Sequence, residues 1–168
     1  ISQNFIPREL QTAYDTLAED LLKQLNQVIC QTSNINFLRV HGDCHAGNML
    51  WRDDNPHFVD FDDARMAPSI QDIWMLLSGD REQQGIQLSK ILDGYEQFRE
   101  FNLTECHLIE VFRTLRILYY SAWLARRWDD PAFPHSFPWF NSTRYWEDHI
   151  LELREQFSAL HEPAIRPF

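Results

Sequence analysis

The chain has 168 residues, 44% apolar and 14% aromatic, so it can bury a core and is too apolar to be disordered. Acidic residues outnumber basic ones by 25 to 15, which gives a formal charge of −10. This excess argues against nucleic-acid or anionic-membrane binding, since both need a basic surface. The apolar runs are much shorter than the roughly 20 residues that span a bilayer. Three cysteines without a framework spacing indicate a reducing compartment, and we expect a cytoplasmic protein.

The first predicted element is an amphipathic helix that follows Pro7. Its apolar residues recur three and four positions apart, which is the spacing of one buried helical face: Leu10, Ala13, Tyr14, Leu17, Leu21, Leu25 and Val28. The polar stretch 31–34 ends this helix. Three β-prone runs follow at 35–40, 48–51 and 57–61. The turn-forming residues 52–56 indicate that the last two runs form a hairpin.

From Ser69 onward the pattern is helical. Ser69 and Asp72 resemble a capping pair ahead of residues 73–78. Further helices are predicted over 81–98, over 102–128 and over 145–157. Three prolines in the segment 129–140 exclude a regular helix there. The predicted fold class is therefore mostly α with a small β element, in one domain that covers residues 1–168.

Polar residues concentrate in the β element, in HGDCHAGN (41–48) and FVDFDDA (58–64). Asp43 lies on a tight loop after a strand, and Asn48 begins the next strand. Asp60 ends the strand that pairs back, so a hairpin of this length brings it near both. Two carboxylates and an amide oxygen are hard ligands of the kind that Mg²⁺ prefers, usually with substrate phosphates. One carboxylate can stay off the metal and accept a hydroxyl proton.

This set of residues resembles the catalytic loop and metal-binding Asp of kinases, with His-Gly-Asp at 41–43 and four residues between Asp43 and Asn48. HGDCHAGN followed by FVDFDDA is similar to the aminoglycoside-phosphotransferase and choline-kinase superfamily. Within it, the segment 39–77 is most similar to the bacterial stress-response Ser/Thr protein kinases. The resemblance implies that the helical fold is a protein-kinase-like carboxy-terminal lobe.

The resemblance also implies a role for each matching position. Asp43 would be the catalytic base that orients the acceptor hydroxyl. His45 would lie near the transferred phosphate, where protein kinases have a Lys. Asn48 and Asp60 would bind Mg²⁺ and through it the nucleotide, and Asp62 would support the metal site.

The activity implied by the resemblance is Mg²⁺-dependent phosphoryl transfer from ATP to a hydroxyl, in a stress-response role. The acceptor is a protein Ser or Thr or a small molecule, and the similarity to stress-response kinases favours the protein. Asp72 matches a family Asp that ties down the backbone of the catalytic loop. A non-catalytic binding module with a vestigial site is the alternative from a different class of protein.

A kinase of this class also needs a phosphate-covering loop and a Lys on a strand. None of the five glycines forms such a loop ahead of residue 41, and Lys23 and Lys90 both fall in predicted helices. We therefore expect the chain, which begins at Ile1, to be the carboxy-terminal lobe of a two-lobed kinase whose amino-terminal lobe is absent. Alone it would be inactive, and it could dimerise through the face that the other lobe would cover.

Two other interpretations of the polar cluster are a solvated acidic loop and a zinc site built from His41, Cys44 and His45. Cys44 and His45 are adjacent and no second pair has ligand spacing, which argues against structural zinc. Cys30 and Cys106 fall on predicted apolar helix faces, and we expect both in the core.

Overall fold

The computed structural model describes residues 5–168, whose regular structure is six α-helices and four short β-strands. The elements are α1 (Arg8–Gln31), β1 (Leu38–Val40), β2 (Met49–Arg52), β3 (Asn55–Phe58), β4 (Arg65–Ala67), α2 (Ile70–Ile73), α3 (Arg81–Tyr95), α4 (Ile109–Arg126), α5 (Ala132–Ser136) and α6 (Thr143–Ala159). Three 3₁₀ turns lie at Ala46–Asn48, Trp74–Leu76 and Leu103–Leu108. The predicted fold class, mostly α with a small β content, is confirmed.

Helix α1 follows the predicted apolar stripe closely. It starts directly after Pro7, where the missing N–H of proline costs nothing, and it ends at Gln31. Tyr14, Leu21 and Leu25 are its buried residues, and all three belong to the stripe. Cys30 is exposed, so the expectation that it lies in the core was wrong, whereas Cys106 is buried as expected.

The predicted hairpin is present as β2 and β3, which pair antiparallel with Met49 opposite Phe58. Its turn has only two residues, Asp53 and Asp54, and both have positive φ angles, of 51° and 59°. Such a turn matches the right-handed twist of the two strands, and Asp tolerates this backbone conformation. Pro56 was predicted in the turn but lies in β3, opposite Trp51.

The second sheet consists of β1 and β4, paired antiparallel with Leu38 opposite Ala67 and Val40 opposite Arg65. The sequence predicted a six-residue strand over 35–40 and no strand at β4. A three-residue strand is too short to show an alternating pattern, so this pairing depends on the surrounding structure. The sheet brings the two ends of the segment 41–64 together.

Two helices begin with side-chain caps formed by residue types that are common at this position. Asp80 and Gln83 form a capping box at the start of α3, and Ser142 caps α6. The predicted cap at Ser69 is absent, because Ser69 has helical backbone angles and its hydroxyl donates to Glu105 at 2.7 Å. The helix predicted over 102–128 begins as a 3₁₀ turn before α4.

The proline-rich segment contains a short helix that the sequence analysis excluded. In α5 the N-cap is Pro131 and Pro134 lies in the first turn. Backbone N–H groups in a first turn have no partner within the helix, so a proline there removes no hydrogen bond. Phe140 follows this helix and is fully buried.

The chain divides into two compact units. One contains most of α1 with Glu110–Glu162, and the other contains Cys30–Ile109 with Pro163–Phe168. The first unit is rich in packed aromatic rings, such as those of Phe140 and Trp146, whose centroids lie 5.4 Å apart. The second unit buries aliphatic side chains such as Ile70 and Leu88, both fully buried. All predicted site residues belong to the second unit.

Candidate active site

Two loop segments, 41–48 and 59–64, run side by side between the two small sheets. At one end, β1 and β4 pair Val40 with Arg65, so the two segments leave this sheet together. At the other end, the hairpin pairs Met49 with Phe58, and the N–H of Val59 donates to the carbonyl of Asn48 at 3.0 Å. The first segment carries Asp43, His45 and Asn48, and the second carries Asp60 and Asp62.

The short helix α2 fixes the backbone at the start of the first segment. The carboxylate of Asp72 accepts the N–H of His41 at 2.7 Å and the N–H of Gly42 at 2.8 Å. The side chain of Gln71 donates to the carbonyl of Gly42 at 3.1 Å. The role expected for Asp72 from the family resemblance is therefore confirmed, and Gln71 adds a contact that the sequence did not reveal.

The imidazole of His41 joins the two segments. Its Nδ1 accepts the N–H of Asp43 at 3.4 Å, so the ring proton lies on Nε2, which donates to the carbonyl of Val59 at 2.8 Å. The ring is buried and lies 4.6 Å from the ring of Phe61, measured between centroids. Val59 and Phe61 flank Asp60, so His41 helps to fix the backbone on both sides of that residue.

Gly42 allows the two segments to approach closely. Its φ is +89°, in a region that only glycine adopts easily, and a Cβ at this position would overlap the carbonyl oxygen of Asp63. Any other residue at position 42 would therefore strain the backbone and push the second segment away.

Three of the predicted site residues are in direct contact. Asn48 Nδ2 donates to the carbonyl of Asp43 at 3.0 Å and approaches its Oδ2 at 3.4 Å. His45 Nε2 lies 3.4 Å from the same Oδ2. The side chain of Asp43 is 21% exposed, so it is held in place and still reachable from solvent. A carboxylate in this setting can accept a proton from a bound hydroxyl group.

Local backbone structure fixes the ring of His45. Its Nδ1 accepts the N–H of Gly47 at 3.0 Å, which leaves the ring proton on Nε2, facing Asp43. A Cβ on Gly47 would lie 2.7 Å from Cε1 of His45, so a larger residue would displace the ring. In this arrangement His45 orients the carboxylate of Asp43.

The two predicted site residues of the second segment, Asp60 and Asp62, are exposed. Asp60 was predicted at the end of a strand but lies two residues after β3, and its φ of +64° is a left-handed backbone conformation that costs energy. Strain of this kind concentrates at functional sites. Asp62 lies in the turn closed by the hydrogen bond from the N–H of Ala64 to the carbonyl of Phe61, at 3.0 Å.

The side-chain chemistry of Asn48 and Asp60 fits a magnesium ion. Because Nδ2 of Asn48 donates to Asp43, its Oδ1 is the atom with which it can bind a cation. Mg²⁺ typically takes one or two protein oxygens and completes its shell with water and substrate phosphates. Within residues 5–168, no group of three or more His, Cys, Asp or Glu side chains is arranged to hold a metal ion. Asn48, Asp60 and Asp62 together offer two carboxylates and one amide oxygen, the hard ligands that Mg²⁺ prefers.

Cys44, which follows Asp43, is a buried thiol. Burial raises its pKa to about 11, and the negative charges of Asp72 and Asp43 act in the same direction. The thiol therefore stays protonated at neutral pH and is a poor nucleophile.

Six exposed apolar side chains lie on the four strands or close to them along the chain. Their exposed fractions range from 44% for Phe58 to 72% for Trp51: Phe37, Leu50, Trp51, Phe58, Phe61 and Met66. Exposed apolar side chains that form a contiguous patch mark interaction surfaces. We call these six residues the strand patch.

The structure also contains site-supporting residues that the sequence analysis missed. The sequence around Gln71 contains no pattern that distinguishes this residue from other polar residues of a helix. Glu105 lies near the start of the helix predicted over 102–128, yet it is 2% exposed and accepts hydrogen bonds near the start of α2. A buried acidic residue in a polar local sequence gives no signal of its own.

A kinase-like lobe, in which a short helix holds the backbone of the loop before Asp43, is the class of protein that this fold and site define. The family model described as phosphotransferase enzyme family (APH) matches residues 4–109. The chain belongs to this family. Among residues 5–168, no helix has the length and apolarity needed to cross a bilayer.

Bacterial kinases are among the similar proteins. The chain is 47% identical over 161 residues to "Stress response kinase A" of Salmonella choleraesuis and to "Serine/threonine protein kinase RdoA" of Salmonella typhimurium. It is 46% identical to "Stress response kinase A" of Escherichia coli K12. Each alignment covers 96% of this chain and 48% of the relative. The chain thus spans about half the length of these relatives.

Proposed function

We propose that the full-length protein transfers the γ-phosphate of ATP to a Ser or Thr hydroxyl of a protein, with Mg²⁺, and that residues 1–168 form its carboxy-terminal catalytic lobe. The observation that carries this proposal is the contact of His45 and Asn48 with the partly exposed carboxylate of Asp43. Phosphoryl transfer needs mainly positioning and charge stabilisation, and a fixed carboxylate beside oxygen ligands supplies both.

Asp43 is the group that accepts the hydroxyl proton in this proposal. His45 holds the carboxylate through Nε2 and lies beside the position of the transferred phosphate. Asn48 Oδ1 and Asp60 hold Mg²⁺, and Asp62 supports them from the adjoining turn. The ion, when bound, neutralises the charge of the phosphates. His41 and Asp72 keep the two segments at the spacing that these contacts require.

A protein acceptor is favoured by the names of the relatives, two of which are a stress response kinase and a serine/threonine protein kinase. The same names support a role in stress response. A small molecule with a hydroxyl group is the alternative acceptor, because the family match by itself is to phosphotransferases in general. We place the protein in the cytoplasm, where ATP is available and where free cysteines such as Cys30 stay reduced.

The strand patch is the surface on which we propose that the remainder of the full-length protein packs. Its exposed residues lie on or close to the strands that flank the loop segments with Asn48 and Asp60, and in this proposal the lobe that covers the nucleotide approaches from there. In the isolated chain the same surface would be open to solvent or would pair with a second copy. The isolated chain is then inactive, because the ATP phosphates lack the groups that position them.

The test uses the full-length protein that contains this chain, with Mg²⁺ and radiolabelled ATP. Candidate acceptors are a mixture of Ser- and Thr-containing proteins and a panel of aminoglycosides, choline and sugars. We expect label on protein Ser or Thr, and none with Asp43→Ala. Label on a small molecule alone would exclude the protein acceptor. Absence of any transfer in the folded, nucleotide-binding wild-type protein would favour the non-catalytic binding module.

A further inference from the structure

We propose that Glu105 is a positioning residue for the catalytic loop, and that it acts through Ser69 and Ile70 on Asp72. This inference rests on the proposed phosphoryl transfer at the same site. Glu105 is 2% exposed, and its Oε2 accepts the hydroxyl of Ser69 at 2.7 Å and the N–H of Ile70 at 3.1 Å. A buried carboxylate is tolerated only when hydrogen bonds compensate for the lost hydration, so these bonds are strong and specific.

The helix that Glu105 holds is too short to be stable alone. Helix α2 has four residues, fewer than an isolated helix needs to offset the cost of nucleation. Its second and third residues, Gln71 and Asp72, make the three hydrogen bonds that fix the backbone of His41 and Gly42. The position of these two side chains therefore depends on what fixes the start of α2.

Glu105 is itself well fixed. It lies in the 3₁₀ turn Leu103–Leu108, whose start is capped by Asn102 through a hydrogen bond from the N–H of Thr104 at 3.1 Å. Asn102 also donates to the carbonyl of Asn34 at 2.8 Å. Cys106, the next residue, is 2% exposed and anchors the turn in the core.

A chain of hydrogen bonds thus leads from Glu105 to the catalytic loop. Glu105 holds the first residues of α2, Asp72 on α2 holds Gly42, and Asp43 is the next residue. A shift of about 1 Å in a catalytic group can lower the rate by roughly 100-fold, so small movements of α2 would reach the chemistry.

The test compares kcat and the KM for ATP of Glu105→Ala and Glu105→Gln in the full-length protein. We expect Glu105→Ala to lower kcat by about 10- to 100-fold with KM changed less than about threefold, because loop position and not nucleotide binding is affected. Glu105→Gln keeps a carbonyl oxygen that can accept both hydrogen bonds, and we expect it to restore most of kcat. Equal defects in the two variants would overturn the proposal.

The control for general destabilisation is Leu92→Ala, which removes a buried side chain of α3, a helix that carries none of the site residues. We expect Leu92→Ala to lower the melting temperature while kcat per folded molecule stays unchanged. A fall in kcat that is the same in Leu92→Ala and Glu105→Ala at a matched shift in Tm would overturn the positioning role.

Two further variants test the positioning role if Glu105→Ala does not fold and distinguish its failure from failure of the proposed function. If Glu105→Ala does not fold, Ser69→Ala removes one of the two hydrogen bonds and should lower kcat, whereas an unchanged kcat would overturn the proposal. Asp43→Ala is measured in the same assay. If Asp43→Ala still transfers phosphate, the proposed function itself is contradicted. If Asp43→Ala loses transfer but Glu105→Ala has the kinetics of the wild type, only the positioning role of Glu105 is contradicted.

Discussion

The carboxylate of Asp72 accepts the backbone N–H of Gly42 at 2.8 Å, although 30 positions of the sequence separate the two residues. The same carboxylate accepts the N–H of His41 at 2.7 Å. The loop that carries Asp43 is therefore fixed through its backbone by a side chain of α2. The loop geometry depends on this one carboxylate as much as on the loop residues.

Replacing Asp72 with Ala should destabilise the protein and slow the reaction. Two N–H groups in a partly buried setting lose a charged acceptor, which costs about 3 kcal/mol of unfolding free energy. Asp72→Asn keeps one side-chain oxygen, so its unfolding free energy should lie between those of the wild type and Asp72→Ala. The measurement is denaturant unfolding of the full-length variants. Asp93→Ala, an exposed change on α3, is the control and should stay within about 0.5 kcal/mol of the wild type.

Replacing Gly42 with Ala should disrupt the contact between the two loop segments. The φ of +89° costs an L-residue about 1–2 kcal/mol, and the new Cβ would also overlap the carbonyl of Asp63. We expect a lower melting temperature and a strong loss of transfer activity. Gly94→Ala is the matched control, because a Cβ there meets nothing within 4 Å, and in helix α3 it should stabilise by up to about 1 kcal/mol. Similar melting temperatures for the two variants would contradict the close approach at Gly42.

Replacement of Asp43 and replacement of Asp60 should affect nucleotide binding differently. Asp43→Ala and Asp60→Ala should each abolish most transfer, because one removes the hydroxyl-orienting group and the other a metal ligand. Only Asp60→Ala should weaken Mg²⁺-dependent ATP binding, measured by calorimetry on the full-length protein. Equal losses of ATP affinity in the two variants would contradict this division of roles.

The three cysteines should differ sharply in their reaction with iodoacetamide. Burial raises the pKa of Cys44 and of Cys106 to about 11, and nearby carboxylates add to the shift. Because only the thiolate reacts, about one molecule in a thousand is reactive at these positions at pH 8. We expect Cys30, which is exposed, to be alkylated first in a mass-spectrometric time course.

A rise from pH 8 to pH 10 should then speed the reaction of Cys44 and Cys106 by roughly 100-fold, since the thiolate fraction increases tenfold per unit below the pKa. The control is the denatured protein, in which all three cysteines should react at similar rates. Rapid labelling of Cys44 in the folded protein at pH 8 would show that the catalytic loop is more open than the structure indicates.

The local features of this protein were predictable from its sequence. The apolar stripe from Leu10 to Val28 predicted α1, because a helix places residues three and four apart on one face. The turn-forming residues 52–56 predicted the hairpin, although not that Pro56 would lie in a strand. The resemblance of HGDCHAGN and FVDFDDA to known kinases indicated a phosphotransferase, and the family match shows that the chain belongs to that family.

The tertiary structure decided which residues support the site. The pairing of β1 with β4 and the hydrogen bonds from Gly42 to Asp72 and from Ser69 to Glu105 all join residues about 25 to 36 positions apart. A three-residue strand has no periodicity, and a buried carboxylate has the same local sequence whether it caps its own helix or binds another segment. Local patterns report the preferences of neighbouring residues, whereas these contacts form because burial requires each polar group to find a partner wherever the fold supplies one.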